Sequence, residues 1–166
     1  MDRIYSPWRS QYIESFNEEK KEECFLCGAI HSVNENKERL IIARESHCIV
    51  LLNKYPYNSG HTLVVPLHHI SDLDDLTTDE LVAVMATTKK VVSAMKDAFH
   101  PHGFNIGINI GQSAGAGLPG HLHFHIVPRW NGDANFTATI SDMKVISTAM
   151  ENTRLALIEK MNDSHL

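Results

Sequence analysis

Three histidines alternate with apolar residues in one short segment, and this segment constrains the fold more than any other part of the chain. Residues 121–127 read HLHFHIV. Because successive side chains of a strand point to opposite faces, Leu122, Phe124 and Ile126 are expected to share one face. The histidines that share the other face, spaced by roughly 6.6–7 Å along an extended chain, are His121, His123 and His125. The pattern predicts a strand with one buried apolar face and one imidazole face.

Three imidazoles in register have several chemical explanations. They could be half-exposed polar side chains on the solvent side of a sheet, ligands of a catalytic metal, or a nucleophile with neighbours that position it. A glycine-rich loop, residues 111–117, precedes the row. Such a loop lets backbone amides approach an anion, and imidazole suits nucleophilic attack on phosphorus. The two features together predict a phosphate held beside the imidazoles.

Hydrophobic periodicity predicts the remaining elements. Apolar runs at 40–43 and 48–52 around a polar turn indicate a hairpin. A β-branched run at 62–65 indicates a third strand, and the strict alternation of apolar and polar residues at 104–110 indicates a fourth. Thr77 and Glu80 have capping-box spacing at the start of a helix that Pro101 ends. A last helix is expected at about 142–162. The pattern predicts a single α+β domain over 1–166, with a mostly antiparallel sheet and two main helices.

The composition excludes several classes of protein. The chain has 166 residues, of which 43% are hydrophobic, and a formal net charge of -5. The acidic balance argues against binding to a nucleic-acid polymer. No apolar run reaches the ~18–20 residues that cross a bilayer, and no hydrophobic signal core is present near the start. We therefore expect a cytoplasmic protein with no membrane partner.

Two motifs together resemble the histidine triad (HIT) family of nucleotide hydrolases and transferases. HLHFHIV matches the family's three histidines alternating with apolar residues, and GHTLVVPLHHI at 60–70 looks like its G-H-x-L-V-x-P-x-x-H-I motif. The resemblance implies a HIT-like fold. PWR at 7–9 and PRWNGD at 128–133 are similar to a bacterial branch that carries C-x-x-C zinc sites and includes diadenosine-tetraphosphate phosphorylases.

The resemblance also implies roles for individual residues. His123, in the middle of the triad, would attack an α-phosphorus and form a nucleotidyl-imidazole intermediate. His125 would hydrogen-bond the phosphate and the scissile oxygen, and His61 would support the nucleophile ring. The positions that would contact nucleotide or phosphate are Asn53, Asn109 and Ser113. Asn109 also fits an ordinary polar position of its strand.

Cys24 and Cys27 have the spacing of a zinc knuckle, expected at about residues 20–30, but a tetrahedral structural zinc needs four ligands. The pair could instead be buried or redox-active, although the βαβ context of a thioredoxin-type motif is missing. The resemblance implies His69 and His121 as the remaining ligands, with His68 as the alternative to His69. It implies a structural zinc with a filled coordination shell, and no organic cofactor.

The leading hypothesis is an enzyme that cleaves dinucleoside polyphosphates, such as diadenosine tetraphosphate, at the α-phosphate through a covalent histidine intermediate. Water as the acceptor would make it a hydrolase, and inorganic phosphate would make it a phosphorylase. A second class is a metallohydrolase with His121 and His123 on an open zinc, and a third is a non-catalytic, zinc-stapled nucleotide-binding module. The resemblance implies a homodimer whose two sheets join into one.

Overall fold

The protein is built on a five-stranded antiparallel sheet with helices on both faces. The computed structural model describes residues 24–133, 146 and 148–163. The helices within this part are α1 (Phe25–His31), α2 (Thr78–Phe99) and α3 (Met150–Asp163), with 3-10 turns at Leu73–Asp75 and Gln112–Ala114. The strands are β1 (Ile41–Arg44), β2 (Cys48–Leu52), β3 (Thr62–Pro66), β4 (Gly103–Ile108) and β5 (Phe124–Arg129). Their order is β1-β2-β3-β5-β4, which confirms the predicted α+β class with an antiparallel sheet.

The central strands β2 and β3 are buried on both faces, because a core cluster lies on each side of the sheet. Val50 and Val64 contribute to the cluster that contains buried residues of α2 and α3. Ile49 and Leu63 contribute to the cluster that contains Leu26 of α1. Continuous apolar runs are typical of strands covered on both sides. None of the helices described here is both long and apolar enough to cross a membrane.

Tertiary contacts hold α1, which has seven residues and is too short to be stable in isolation. Leu26 and Ala29 are buried against the sheet. The guanidinium of Arg44, at the end of β1, donates to the main-chain carbonyls of Ala29, Ile30 and Ser32 at 2.8–3.0 Å. These carbonyls lie at the C-terminal end of α1, where helical partners are missing and a cation is favoured. The contacts fix α1 to the sheet.

The start of α2 confirms the predicted capping box. The Thr77 hydroxyl accepts from the Glu80 main-chain N–H, and the Glu80 carboxylate accepts from the Thr77 main-chain N–H. The helix ends at Phe99, where His100 adopts a left-handed conformation with φ 48°, directly before Pro101. Local sequence chemistry therefore determines both ends of this helix.

The histidine segment begins differently from the prediction, because β5 starts at Phe124 rather than at residue 121. The Leu122 N–H donates to the Ile70 carbonyl at 2.6 Å, and the His121 N–H donates to the Leu118 carbonyl at 3.3 Å. Loop contacts thus use these amides in place of the sheet ladder. The predicted apolar face is confirmed, since Leu122, Phe124 and Ile126 all lie in the core.

Two other boundaries shift. Of the expected first turns of the last helix, residues 142–145 lie outside the described part of the chain, and 146, 148 and 149 are not helical. The helix begins at Met150 because the Thr153 N–H donates to the Ala149 carbonyl, and its buried face comes from Leu157 and Met161. β4 ends at Ile108, two residues before the predicted 110. Apolar spacing identifies these elements, but hydrogen bonding sets their ends.

We expect Thr77→Ala to lower the free energy of unfolding by about 1 kcal/mol, because the exposed hydroxyl satisfies an end amide of α2. The matched control is Thr78→Ala, at a neighbouring exposed threonine for which no side-chain hydrogen bond is seen among the described residues. Urea unfolding at neutral pH measures both. Equal effects of the two substitutions would show that the cap does not stabilise the protein.

Candidate active site and metal centre

The pairing of β3 with β5 brings two histidines from distant parts of the chain together. His61 lies directly before β3, after a turn that contains Gly60 with φ 79°. Leu63 of β3 pairs with His125 of β5, so the His125 side chain lies on the α1 face of the sheet. His61 Nε2 and His125 Nδ1 are 2.9 Å apart. The imidazole that His61 contacts is thus His125, whereas the family resemblance implies support of the nucleophile ring.

His123 lies next to His125, with ring centroids 4.9 Å apart in an edge arrangement. Its Nδ1 is 2.7 Å from the main-chain oxygen of His121. A carbonyl only accepts, so Nδ1 must carry a proton and donate it to this bond. In the neutral ring, Nε2 then holds the lone pair. The contact therefore assigns the ring proton to Nδ1 and the lone pair to Nε2.

Burial disfavours the charged form of these imidazoles. It lowers the pKa of His61 to about 3, with further lowering from the neighbouring His125 and His123. It lowers the pKa of His125 to about 4, with a contribution from His123. Burial also lowers the pKa of His123, against the opposing effect of the hydrogen bond to the His121 carbonyl. The expectation of half-exposed polar side chains does not describe this site.

Tyr57 contacts the site, and the sequence patterns did not identify it. Its ring stacks on His61 with centroids 4.7 Å apart and an interplanar angle of 27°. Its main-chain N–H donates to His61 Nδ1 at 3.0 Å. The ring is also 5.9 Å from that of His125. An aromatic residue three positions before the Gly-His motif is the feature that could have drawn attention to it.

The structure brings together some of the predicted substrate contacts but not all. The Asn53 amide nitrogen is 3.3 Å from His61 Nδ1. Asn109 directly follows Ile108, which pairs with Phe124 beside the triad. Ser113 is exposed in the 3-10 turn of the glycine-rich loop, and none of the contacts described joins it to the imidazoles.

The four predicted metal ligands converge on one point. Ligand atoms of Cys24, Cys27, His69 and His121 all lie within 4.8 Å of one another. His121 Nδ1 is 3.3 Å from the Cys24 sulfur, and His69 Nδ1 is 3.2 Å from the Cys27 sulfur. The spacing fits a tetrahedral ion with bonds of about 2.0–2.3 Å to nitrogen and sulfur. Two thiols and two imidazoles are a donor set that suits zinc.

A second contact orients the His121 ring toward this cluster. His121 Nε2 is 3.1 Å from the main-chain oxygen of Pro66, at the end of β3. Because the carbonyl only accepts, Nε2 carries the proton and Nδ1 keeps a lone pair for a metal. Such second contacts fix the tautomer of a metal-bound histidine.

The alternative assignments of the metal ligands do not match the contacts. His68 Nδ1 lies 2.7 Å from a carboxylate oxygen of Glu80, so His68 points to the start of α2 and is not in the cluster. His123 is not in the cluster either, and its Nδ1 is held by the His121 carbonyl. The metallohydrolase hypothesis, which needs His121 and His123 on one open metal, therefore has no support in the described site.

Comparisons with known proteins agree on one family. The HIT domain model matches residues 34–132. A Mycobacterium tuberculosis protein named AP-4-A phosphorylase is 39% identical over 161 residues, which are 95% of this chain and 83% of that protein. A Schizosaccharomyces pombe protein named bis(5'-nucleosyl)-tetraphosphatase (asymmetrical) is 38% identical over 82 residues, 49% of this chain and 44% of that protein. The crystal structure of a Zn-bound histidine triad family protein from Mycobacterium smegmatis has a TM-score of 0.70 and 26% identity, covering 86% of this chain and 96% of that chain.

Proposed function

The chain belongs to the HIT domain family, and on that premise we propose that it transfers a nucleotidyl group from a dinucleoside polyphosphate, with diadenosine tetraphosphate as the model substrate. The observation that carries the proposal is the hydrogen bond of His123 Nδ1 to the His121 carbonyl, which leaves Nε2 as a nucleophile. The AP-4-A phosphorylase from M. tuberculosis, similar over 95% of the chain, supports the substrate class.

The first step forms a bond between His123 Nε2 and an α-phosphorus. The bond from that phosphorus to the bridging oxygen breaks, and the nucleoside triphosphate leaves from a tetraphosphate substrate. In the second step an acceptor oxygen attacks the same phosphorus, and the phosphorus–nitrogen bond breaks. Nε2 takes back the electron pair of that bond, which restores neutral His123 with its proton on Nδ1, and the proton of the acceptor is released to solvent. Splitting the reaction in this way lets one site exchange a leaving group for an acceptor.

His125 supports the same steps from the neighbouring position. Its Nε2 is buried and has no hydrogen-bond partner within the described residues. A buried polar atom without a partner is costly, so a ligand that supplies one is favoured. A phosphate oxygen has the required chemistry. The contact would stabilise the charge that develops as the bond to the leaving oxygen breaks.

Inorganic phosphate is the acceptor that we favour over water. The relative named AP-4-A phosphorylase matches over nearly the whole chain, whereas the relative named as a tetraphosphatase matches over about half. Attack by phosphate on the nucleotidyl-His123 intermediate yields a nucleoside diphosphate. Attack by water yields a monophosphate. The two products distinguish the acceptors directly.

We also propose that Cys24, Cys27, His69 and His121 hold a structural zinc. The convergence of the four donors supports it, as does the similarity to a Zn-bound family member. When bound, the ion would link the chain before β1 to the segment before β5, and the four protein ligands would leave it no open position for substrate. Because unfolded chains lack a preformed site, binding would also stabilise the fold.

A homodimer through β4 is the assembly that we propose. β4 is an edge strand of the described sheet, so its outer main-chain groups are available for pairing. Ile106 within it is 48% exposed, and Ile110 just after it is 36% exposed. Pairing of two β4 strands would join the sheets and cover both isoleucines. We propose a cytoplasmic location as well, which is consistent with three free cysteines.

Incubation with diadenosine tetraphosphate tests the function. We expect ADP and ATP in the presence of inorganic phosphate, and a phosphorus–nitrogen adduct on His123 when the protein is denatured rapidly under conditions that preserve such bonds. His123→Ala should lower turnover on the order of 10³-fold or more, because it removes the nucleophile. The control is His47→Ala, at an exposed histidine between β1 and β2. AMP formation without phosphate would instead identify a hydrolase, and an adduct on another residue would refute the assignment of His123.

The metal proposal predicts the zinc content of two cysteine variants. Cys27→Ser should lower bound zinc well below one ion per chain, because it replaces a thiolate of the cluster with a weaker ligand. Cys48→Ala is the matched control, since Cys48 is buried in β2 and contacts Thr87 instead. Elemental analysis of the purified proteins measures both. Full zinc content in Cys27→Ser would place the metal elsewhere.

The dimer proposal predicts the effect of a charge on the β4 edge. Ile106→Lys should shift the protein from dimer to monomer, because lysines on an edge strand oppose strand pairing. The control is Leu155→Lys, at a side chain on α3 that is 51% exposed. Sedimentation analysis over a range of concentrations gives the masses. A monomeric wild-type protein, or a dimer that the Ile106 substitution leaves intact, would contradict the interface.

A further inference from the structure

The orientation of the Asn53 amide can be assigned from its contacts. The main-chain N–H of Tyr55 points to Asn53 Oδ1 at 2.9 Å. An N–H only donates, so the atom that it meets must be the amide oxygen. The amide nitrogen of Asn53 is then the atom that faces His61 Nδ1, at 3.3 Å. Asn53 therefore offers a donor to the imidazole.

A second donor reaches the same imidazole nitrogen. The main-chain N–H of Tyr57 is 3.0 Å from His61 Nδ1. A nitrogen that faces donors from both Asn53 and Tyr57 has to present its lone pair to them. The ring is neutral because burial lowers the pKa of His61 to about 3. Its single proton consequently resides on Nε2.

The proton on His61 Nε2 determines the state of His125. His61 Nε2–H faces His125 Nδ1 at 2.9 Å, so that His125 nitrogen is the acceptor. In neutral His125 the proton must then be on Nε2. That N–H is buried and has no acceptor among the described residues. The chain of hydrogen bonds thus ends at the Nε2–H of His125, beside His123, with no acceptor among the described residues.

We infer that Asn53 and the main-chain N–H of Tyr57 act as a positioning pair, which fixes the tautomer of His61 and thereby makes His125 a hydrogen-bond donor to the transferred phosphate. Asn53 is thus a positioning residue, a role different from the substrate contact that the family resemblance implies. The inference rests on the proposed function only in its last link, from His125 to the phosphate.

The surrounding loop is fixed in a way that suits this role. The buried Asn58 side chain donates to the Pro128 carbonyl at 3.0 Å and to the Asp133 carboxylate at 2.7 Å. The His61 N–H donates to the Asn58 carbonyl, and the Asn53 N–H donates to the His61 carbonyl. These bonds fix the loop that carries Tyr57 and join the main chains of Asn53 and His61. Preorganisation of this kind is what a positioning network needs.

Two substitutions of Asn53 separate the two roles. Asn53→Asp keeps an oxygen for Tyr55 but replaces the donor with an acceptor, which favours a proton on His61 Nδ1 and makes Nε2 the acceptor. The single proton of neutral His125 would then lie on Nδ1, which donates to His61, and His125 Nε2 would carry a lone pair. Asn53→Leu removes the donor without adding an acceptor, so the Tyr57 N–H still favours the wild-type tautomer. The positioning role therefore predicts that Asp is the more harmful substitution.

Nitrogen NMR of the zinc-loaded protein with 15N-labelled histidine rings tests the tautomers without substrate. At pH 7 we expect wild-type His61 to be protonated on Nε2 only, and to remain so in Asn53→Leu. In Asn53→Asp the proton should be found on Nδ1. A wild-type His61 protonated on Nδ1 would overturn the inference. The same follows if Asn53→Asp has a folded spectrum with His61 signals that match wild type.

Kinetics test the consequence for His125. We expect kcat in Asn53→Asp to fall by about 10²-fold, the lower range for loss of a positioned proton donor, and by only a few-fold in Asn53→Leu. A substrate contact predicts a rise in KM instead, with Leu at least as harmful as Asp. A wild-type protein with the expected tautomers but no turnover would refute the proposed function alone. Normal kcat in an Asn53→Asp protein with the reversed tautomer would refute the link to catalysis.

Discussion

The hydrogen bond from His123 Nδ1 to the His121 carbonyl is the contact on which the site depends. It fixes the ring of His123 and leaves the lone pair on Nε2, the nitrogen that we propose as the nucleophile. The same His121 turns its own ring toward Cys24 and Cys27, and the Pro66 carbonyl holds that ring. One residue thus serves the proposed metal through its side chain and the proposed nucleophile through its main chain. Displacement of the His121 ring would move the carbonyl that orients His123.

This arrangement is possible because the histidine segment leaves the regular sheet early. If residues 121–123 continued the β5 ladder, their side chains would project in strict alternation and their amides would pair with the neighbouring strands. Instead, the Leu122 N–H bonds to the Ile70 carbonyl, and β5 begins at Phe124. Because the segment leaves the sheet, the His121 side chain reaches Cys24 and Cys27, while the rings of His123 and His125 remain side by side.

Sequence patterns anticipated the elements better than their contacts. The Thr77 capping box and the apolar run of β2 are set by local chemistry, so both could be predicted to the residue. Of the four metal donors, Cys24 and Cys27 could be named from their spacing, whereas His69 and His121 could be named only from the resemblance to a family. The contact of His61 with His125 could not be predicted from the sequence, because it depends on loop geometry. The contact of the Tyr57 amide could not be predicted either, because every residue except proline has a main-chain N–H.

The neutral state of the imidazoles has a consequence for how such a site handles a polyanion. Burial lowers the pKa values of His61 and His125 to about 3 and about 4, so neither attracts phosphate as a cation near pH 7. The buried Nε2–H of His125 offers a dipole, whose interaction strengthens as negative charge develops on a nearby oxygen. Fixed dipoles of this kind stabilise the transition state more than the bound ground state.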